Sequence, residues 1–141
     1  MHARLMVDSL VAGTFWGLLA FLLGHRAWGP AIWPGVLAAP FLGVAVGALT
    51  QARFENSSGV RRALVALVSL YLGGTLFGIV IGIGTWLGIS PGARRFPAVL
   101  VEPVLGVWWG LTVTGFFLVL WPLAYFTHWW VEWRGSEPGK S

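Results

Sequence analysis

Glu102 is the side chain of this sequence best placed to do chemistry inside an apolar environment. It lies in the last long apolar run, directly before Pro103. At about 100 degrees per residue it shares a helix face with Gly106, so we expect it to point towards another helix. Ionisable groups in such segments are candidates for ion or proton coupling. The alternative, which we favour, is a structural ion pair near the helix end. Its partner would be an arginine: Arg26, Arg94 or Arg95.

Metal, haem and covalent cofactor chemistry have little support in the residues. His25 follows the first apolar run and His128 follows the last, so the topology predicted below separates them by the membrane. Cysteine is absent, which excludes thiolate metal sites and disulfides. Lys140 is the only lysine, so a Schiff base inside the bundle is excluded. With no nucleophile–base pair or phosphate loop visible, we predict no cofactor, no metal and no enzymatic activity.

Two prolines are candidate helix kinks. Pro40 and Pro103 each lie inside an apolar run, where a proline removes one backbone hydrogen bond. In membrane transporters, paired helix breaks mark substrate sites. An inherited packing kink is the simpler interpretation, and we favour it.

These prolines belong to an internal repeat. Segments 36–47 and 99–110 agree at seven of twelve positions, and the pair Gly13-Thr14 matches Gly74-Thr75. The offsets are 63 and 61 residues, so both matches run in the same order. The pattern predicts a duplicated helical hairpin. Repeat one covers about 5–52 and repeat two about 62–128, within a single domain 1–141 that ends in a polar tail at 129–141.

Four apolar runs carry this repeat, at 5–24, 31–50, 62–90 and 99–126. Hydrophobic residues make up 57% of the 141 positions and charged residues 10%, where a soluble domain has about 25%. Runs of about 20 apolar residues are long enough to cross a bilayer. We therefore predict an all-α integral membrane protein with four transmembrane helices. The last run is too long for one span, so its end is expected to leave the membrane near Pro122 or to tilt strongly.

The basic residues indicate orientation. Six of the nine lysines and arginines fall on one side of the predicted topology and three on the other, which places both termini in the cytoplasm. Because the basic residues flank the apolar runs, the charge of +4 gives no support for nucleic-acid binding.

Small residues four apart predict how the helices pack. Such spacing allows two helix backbones to approach closely in a membrane. One of the resulting faces could instead form the seam of a homo-oligomer. The glycines of these stripes are Gly13, Gly17, Gly43, Gly47, Gly74, Gly78, Gly82, Gly106 and Gly110.

The region 116–133 is rich in aromatic residues and has no counterpart in the first repeat. Aromatic side chains anchor helices in lipid, and they are also favoured at protein contacts. Trp129 and Trp130 are therefore a candidate docking surface. We expect a non-enzymatic accessory or scaffold subunit in the lipid bilayer that packs against other membrane proteins or itself. The alternative is a small oligomeric transporter or channel with Glu102 as its ion-coupled residue.

Overall fold

A computed structural model describes residues 3–92 and 94–136, and nearly all of them are helical. The elements are α1 (Ala3–Trp28), a 3-10 turn (Gly29–Ile32), α2 (Trp33–Glu55), α3 (Gly59–Trp86), α4 (Ala98–Val113) and α5 (Phe116–Ser136). The prediction of an all-helical chain is confirmed for these residues.

Helices α1 and α2 form an antiparallel hairpin, and glycine residues lie where the two helices pack together. The 3-10 turn reverses the chain, with Gly29 in the left-handed region (φ 52°) and Pro30 after it. A methyl group on Gly43 would lie 2.5 Å from the Gly13 Cα, and one on Gly17 would lie 2.5 Å from the Ala39 Cβ. The two backbones can therefore approach this closely only because these positions carry no side chain.

Helices α3 and α4 approach each other in a similar way, but with different partner atoms. A methyl group on Gly74 would lie 2.8 Å from Val107, and one on Gly78 would lie 2.9 Å from Pro103. Gly82 lies against the Val99 carbonyl. The face that α4 turns to α3 thus carries a proline and two valines.

The helices α1 to α4 stand in a row, and α5 crosses it. Each helix of the row contacts the next, whereas in the described part of the chain α1 has no close backbone contact with α3 or α4. Helix α5 contacts all four. It follows α4 after a bend of 98°, at Thr114 and Gly115. Gly115 has a φ of 71°, a left-handed conformation that ends α4.

The outer surface of the row is apolar. Large hydrophobic side chains point away from the protein, for example Leu37 and Phe41, which are each 71% exposed. The helical stretches Ala3–Glu55 and Gly59–Trp86 are long and apolar enough to cross a membrane. The bent pair α4 and α5 would add a third such stretch if it forms one span. These lengths and this surface indicate a membrane protein.

Several predicted boundaries differ from the structure. The last apolar run breaks at Gly115 and not near Pro122, because glycine adopts the left-handed turn while Pro122 is accommodated inside α5. Pro40 and Pro103 lie inside α2 and α4, where the sequence places them, and the kinks at these prolines stay a prediction. The polar tail expected from 129 is helical as far as Ser136, and its remaining positions, 137–141, lie outside the described residues.

We predict that Gly13→Leu strongly destabilises the protein. The added side chain would meet backbone atoms of α2, which cannot move aside without separating the helices. Overpacking of this kind costs about 1–3 kcal/mol or more. The unfolding midpoint in detergent, measured by fluorescence-detected size exclusion, should fall accordingly. Gly135→Leu is the matched control, since Gly135 faces open space. Equal midpoints for the two variants would contradict the close approach of α1 and α2.

Candidate functional site

An apolar cavity lies between the helix row and α5. Its volume is about 430 Å³, within the range of small-molecule sites, roughly 300–1,000 Å³. All five helices contribute to the wall. Apolar and glycine positions line most of it, including Gly17, Gly73 and Phe77. The polar side chains of the wall gather at one end, which we call the polar end: Ser9, Gln51, Ser69, Thr127 and His128.

The imidazole of His128 is the centre of this polar end. It is 8% exposed and lies between α2 and α3. Its Nδ1 is 2.7 Å from Gln51 Oε1, and its Nε2 is 2.8 Å from Ser69 Oγ. The ring also stacks on Phe54, with the centroids 4.8 Å apart. One side chain of α5 therefore joins two helices that are distant from it in sequence.

Hydrogen bonding fixes which ring nitrogen carries the proton. The amide nitrogen of Gln51 donates to Glu55 Oε1 (2.9 Å) and to the His128 carbonyl (3.2 Å). Gln51 Oε1 is left to accept, so His128 Nδ1 must be the donor. In the neutral ring, Nε2 is then an acceptor. The Ser69 hydroxyl has two acceptors for its single hydrogen, this nitrogen and the Ala66 carbonyl at 2.8 Å.

Charged pairs surround the polar end. Arg62 of α3 forms an ion pair with Glu132 of α5, and its guanidinium lies 4.2 Å from the centroid of the Phe54 ring. Arg134 of α5 lies 3.5 Å from Asp8 of α1. Both pairs connect α5 to the row, so the charges fasten the same helix that carries His128.

Asp8 and His128 have surroundings that the sequence did not indicate. Asp8 is only 3% exposed and lies beside Arg134 of α5. Asp8 and Arg134 are 126 positions apart, so no local sequence pattern predicts that they pair. Gln51, Ser69 and His128 likewise belong to no sequence motif. Only their position inside or beside apolar runs could have indicated a buried polar cluster.

Glu102 lies apart from the cavity, in the early part of α4. It forms an ion pair with Arg94, and its side chain is 54% exposed. Arg94 was one of the partners considered from the sequence. The expected orientation towards another helix does not describe Glu102, because Pro103 and Val107 occupy the face that α4 turns to α3.

The glycines of the predicted stripes fall into two groups. Gly13, Gly17, Gly43, Gly47, Gly74, Gly78 and Gly82 lie against another helix. Gly106 and Gly110 do not: no heavy atom of the described residues lies within 4 Å of where their methyl group would be, and both border the cavity. The α4 stripe therefore borders the cavity instead of filling a helix contact.

The candidate docking residues Trp129 and Trp130 differ in exposure. Trp129 is 43% exposed and stacks on Trp133, with the centroids 6.5 Å apart. Trp130 is half-buried and lies beneath the Arg134 guanidinium, 5.8 Å away. Only Trp129 of the two belongs to the outward face of α5.

Comparisons with family models, with curated proteins and with solved structures found no match for this chain. In the described part of the chain, no group of three or more histidine, aspartate or glutamate side chains could hold a metal ion.

We predict that His128→Ala destabilises the protein by about 2–4 kcal/mol. The substitution removes a buried ring and leaves Gln51 Oε1 without its partner, while Ser69 keeps only the Ala66 carbonyl. Thermal unfolding in detergent measures the change. His25→Ala is the control, because His25 is exposed and its ring packs against Phe21 of its own helix. A similar loss in both variants would show that the buried contacts of His128 are not what matters.

We predict that Glu102→Gln changes the unfolding free energy by less than about 1 kcal/mol. Its ion pair with Arg94 is half-exposed, and such pairs contribute little. The effect should match that of Arg94→Gln, because each variant removes the same pair. A loss as large as that of His128→Ala would mean that Glu102 has a buried role.

Proposed function

We propose that this chain is a multi-pass membrane protein that acts as a non-enzymatic accessory subunit. Its partner would be an apolar helix of another membrane protein, which packs on the outward face of α5. The observation that carries the proposal is a series of aromatic rings that contact one another on that face.

The outward face of α5 is a continuous apolar stripe. Its members follow a spacing of three or four residues and all point away from the bundle: Leu118, Pro122, Phe126, Trp129 and Trp133. Three of the rings are in contact, since Phe126 and Trp129 have centroids 5.5 Å apart and Trp129 stacks on Trp133. The opposite face holds His128 and is fixed to the row. Rigid, exposed aromatic side chains on an anchored helix are favoured as contact residues.

The proposed topology has four spans, α1 to α4, with both termini in the cytoplasm and α5 near the membrane surface. Support comes from the antiparallel order of α1 with α2 and of α3 with α4, and from the bend at Gly115. We further propose that the two hairpins arose by duplication. In each hairpin, glycines of the first helix lie against the segment that contains the proline, Pro40 or Pro103.

An enzymatic role has a weaker basis. The order Ser69, His128, Gln51 has the hydrogen-bond sequence of an acyl-transfer triad. Ser69, however, lies in the middle of α3, where neighbouring N–H groups bond to carbonyls of the preceding turn. Such a position offers no oxyanion hole. The transporter alternative depends on Glu102, whose half-exposed ion pair with Arg94 favours a structural role.

The test is purification from the native membrane in mild detergent, with mass spectrometry of the proteins that remain in stoichiometric amount. We expect one membrane protein to co-purify with the unmodified chain and to be lost from the double variant Trp129→Ala, Trp133→Ala. The control is Trp33→Ala, Trp86→Ala, whose side chains are equally exposed at other places of the row.

Each result decides the proposal. Loss of the partner in the α5 variant alone, with unfolding midpoints unchanged in both variants, supports docking on α5. Retention of the partner in the α5 variant contradicts it. Recovery of copies of this chain alone would contradict the accessory role and favour a homo-oligomer.

A further inference from the structure

We propose that the cavity binds a single hydrocarbon chain whose polar head, an uncharged oxygen group, hydrogen-bonds to Ser9 at the polar end. The inference is independent of the accessory role, because it concerns the interior of the protein and not its outward face.

The shape of the cavity favours one chain. Its wall extends along α1 from Ser9 to Trp28, which is about 28 Å at 1.5 Å per residue. A cavity of about 430 Å³ with this length is elongated, and an elongated apolar cavity suits one extended hydrocarbon chain. The wall along this length is apolar, so a hydrocarbon chain makes favourable contacts throughout.

The cavity exists because several glycines line it, and their missing side chains leave the space empty. Gly106 and Gly110 of α4 have no heavy atom of the described residues within 4 Å of a methyl group placed there. On α3, the nearest atom to such a methyl group on Gly73 is a Val46 carbon at 3.8 Å. Side chains at these positions would occupy the cavity, whereas the other lining glycines serve helix contacts.

Ser9 is the polar side chain of the cavity wall that is available to bind a ligand. It is 3% exposed, borders the cavity, and lies across from Gly47, where a methyl group would be 2.6 Å from its Oγ. Among the described residues its hydroxyl has no hydrogen-bond partner. The polar groups of His128 and Gln51 at the same end already bond to each other, so Ser9 is the hydroxyl left to bind an incoming oxygen.

The lining indicates an uncharged head. The side chains that border the polar end are hydroxyls, an amide and an imidazole. The nearby Arg134 and Arg62 each form an ion pair, with Asp8 and Glu132, and these charged side chains are not part of the cavity wall. A hydroxyl or an ester carbonyl satisfies Ser9 without bringing an unpaired charge into an apolar site. Such a chain could be a free single-chain lipid or one acyl chain of a phospholipid.

The experiment measures binding of tritiated oleyl alcohol to the purified full chain in detergent by scintillation proximity. We expect saturable binding of one molecule per chain. Gly110→Leu and Gly73→Leu fill the cavity and should abolish it. Gly135→Leu, which adds the same side chain outside the cavity, should bind normally. Ser9→Ala should raise the dissociation constant about five- to tenfold, the effect of one lost hydrogen bond.

Unlabelled phosphatidylcholine identifies the source of the chain. Displacement of the alcohol by the phospholipid assigns the site to an acyl chain of the bilayer, and failure to displace it assigns the site to a free single-chain lipid. Equal binding in the filled variants and in Gly135→Leu would overturn the proposal, because the alcohol would then be held on the outer surface. Equal affinity in Ser9→Ala would overturn the polar contact. All variants are compared at equal size-exclusion profile and unfolding midpoint, and none alters Trp129 or Trp133.

Discussion

The buried imidazole of His128 determines how the two parts of this protein are held together. Helices α1 to α4 form an open row: in the described part of the chain, the backbone of each helix closely approaches only its neighbours in the row. These contacts alone do not fix the curvature of the row. His128 hydrogen-bonds to α2 and α3 at once and is excluded from water. Because unpaired polar groups in an apolar interior are costly, α5 is held across the row, where its imidazole gives Gln51 Oε1 a partner and Ser69 a second one beside the Ala66 carbonyl. The ion pairs of Arg62 and Arg134 then secure the remaining length of α5.

Glycine has two opposite effects in this fold. At Gly13 and Gly43 the missing side chain allows the backbones of α1 and α2 to touch. At Gly106 and Gly110 the same absence leaves empty space, because α4 turns Val107 and Pro103 towards α3. Glycine therefore produces both the close helix packing and the cavity. For the α4 glycines, the rotation of α4 about its axis decides which of the two results.

The sequence was sufficient to predict features that depend on local composition. It was insufficient for contacts between residues that are distant along the chain. Apolar runs located the helices, and four-residue spacing identified glycines at which α1 meets α2. The break at Gly115 was missed because the nearby Pro122 is the stronger helix breaker by residue type, although α5 accommodates it. The cluster around His128 was missed because its members are up to 77 positions apart and share no spacing. The rotation of α4 was missed because periodicity does not fix which neighbour a face will meet.

The position of His128 near the end of the chain has a consequence for biosynthesis. Gln51 and Ser69 are made 77 and 59 residues before the ring that completes them. At a synthesis rate of 5–20 residues per second, Gln51 Oε1 waits about 4–15 seconds for its imidazole partner, although the Gln51 amide nitrogen has Glu55 close by in the chain. The nascent row is therefore incomplete until translation has almost finished, and a ribosome that stalls before α5 releases a product whose unsatisfied polar groups distinguish it from the finished protein.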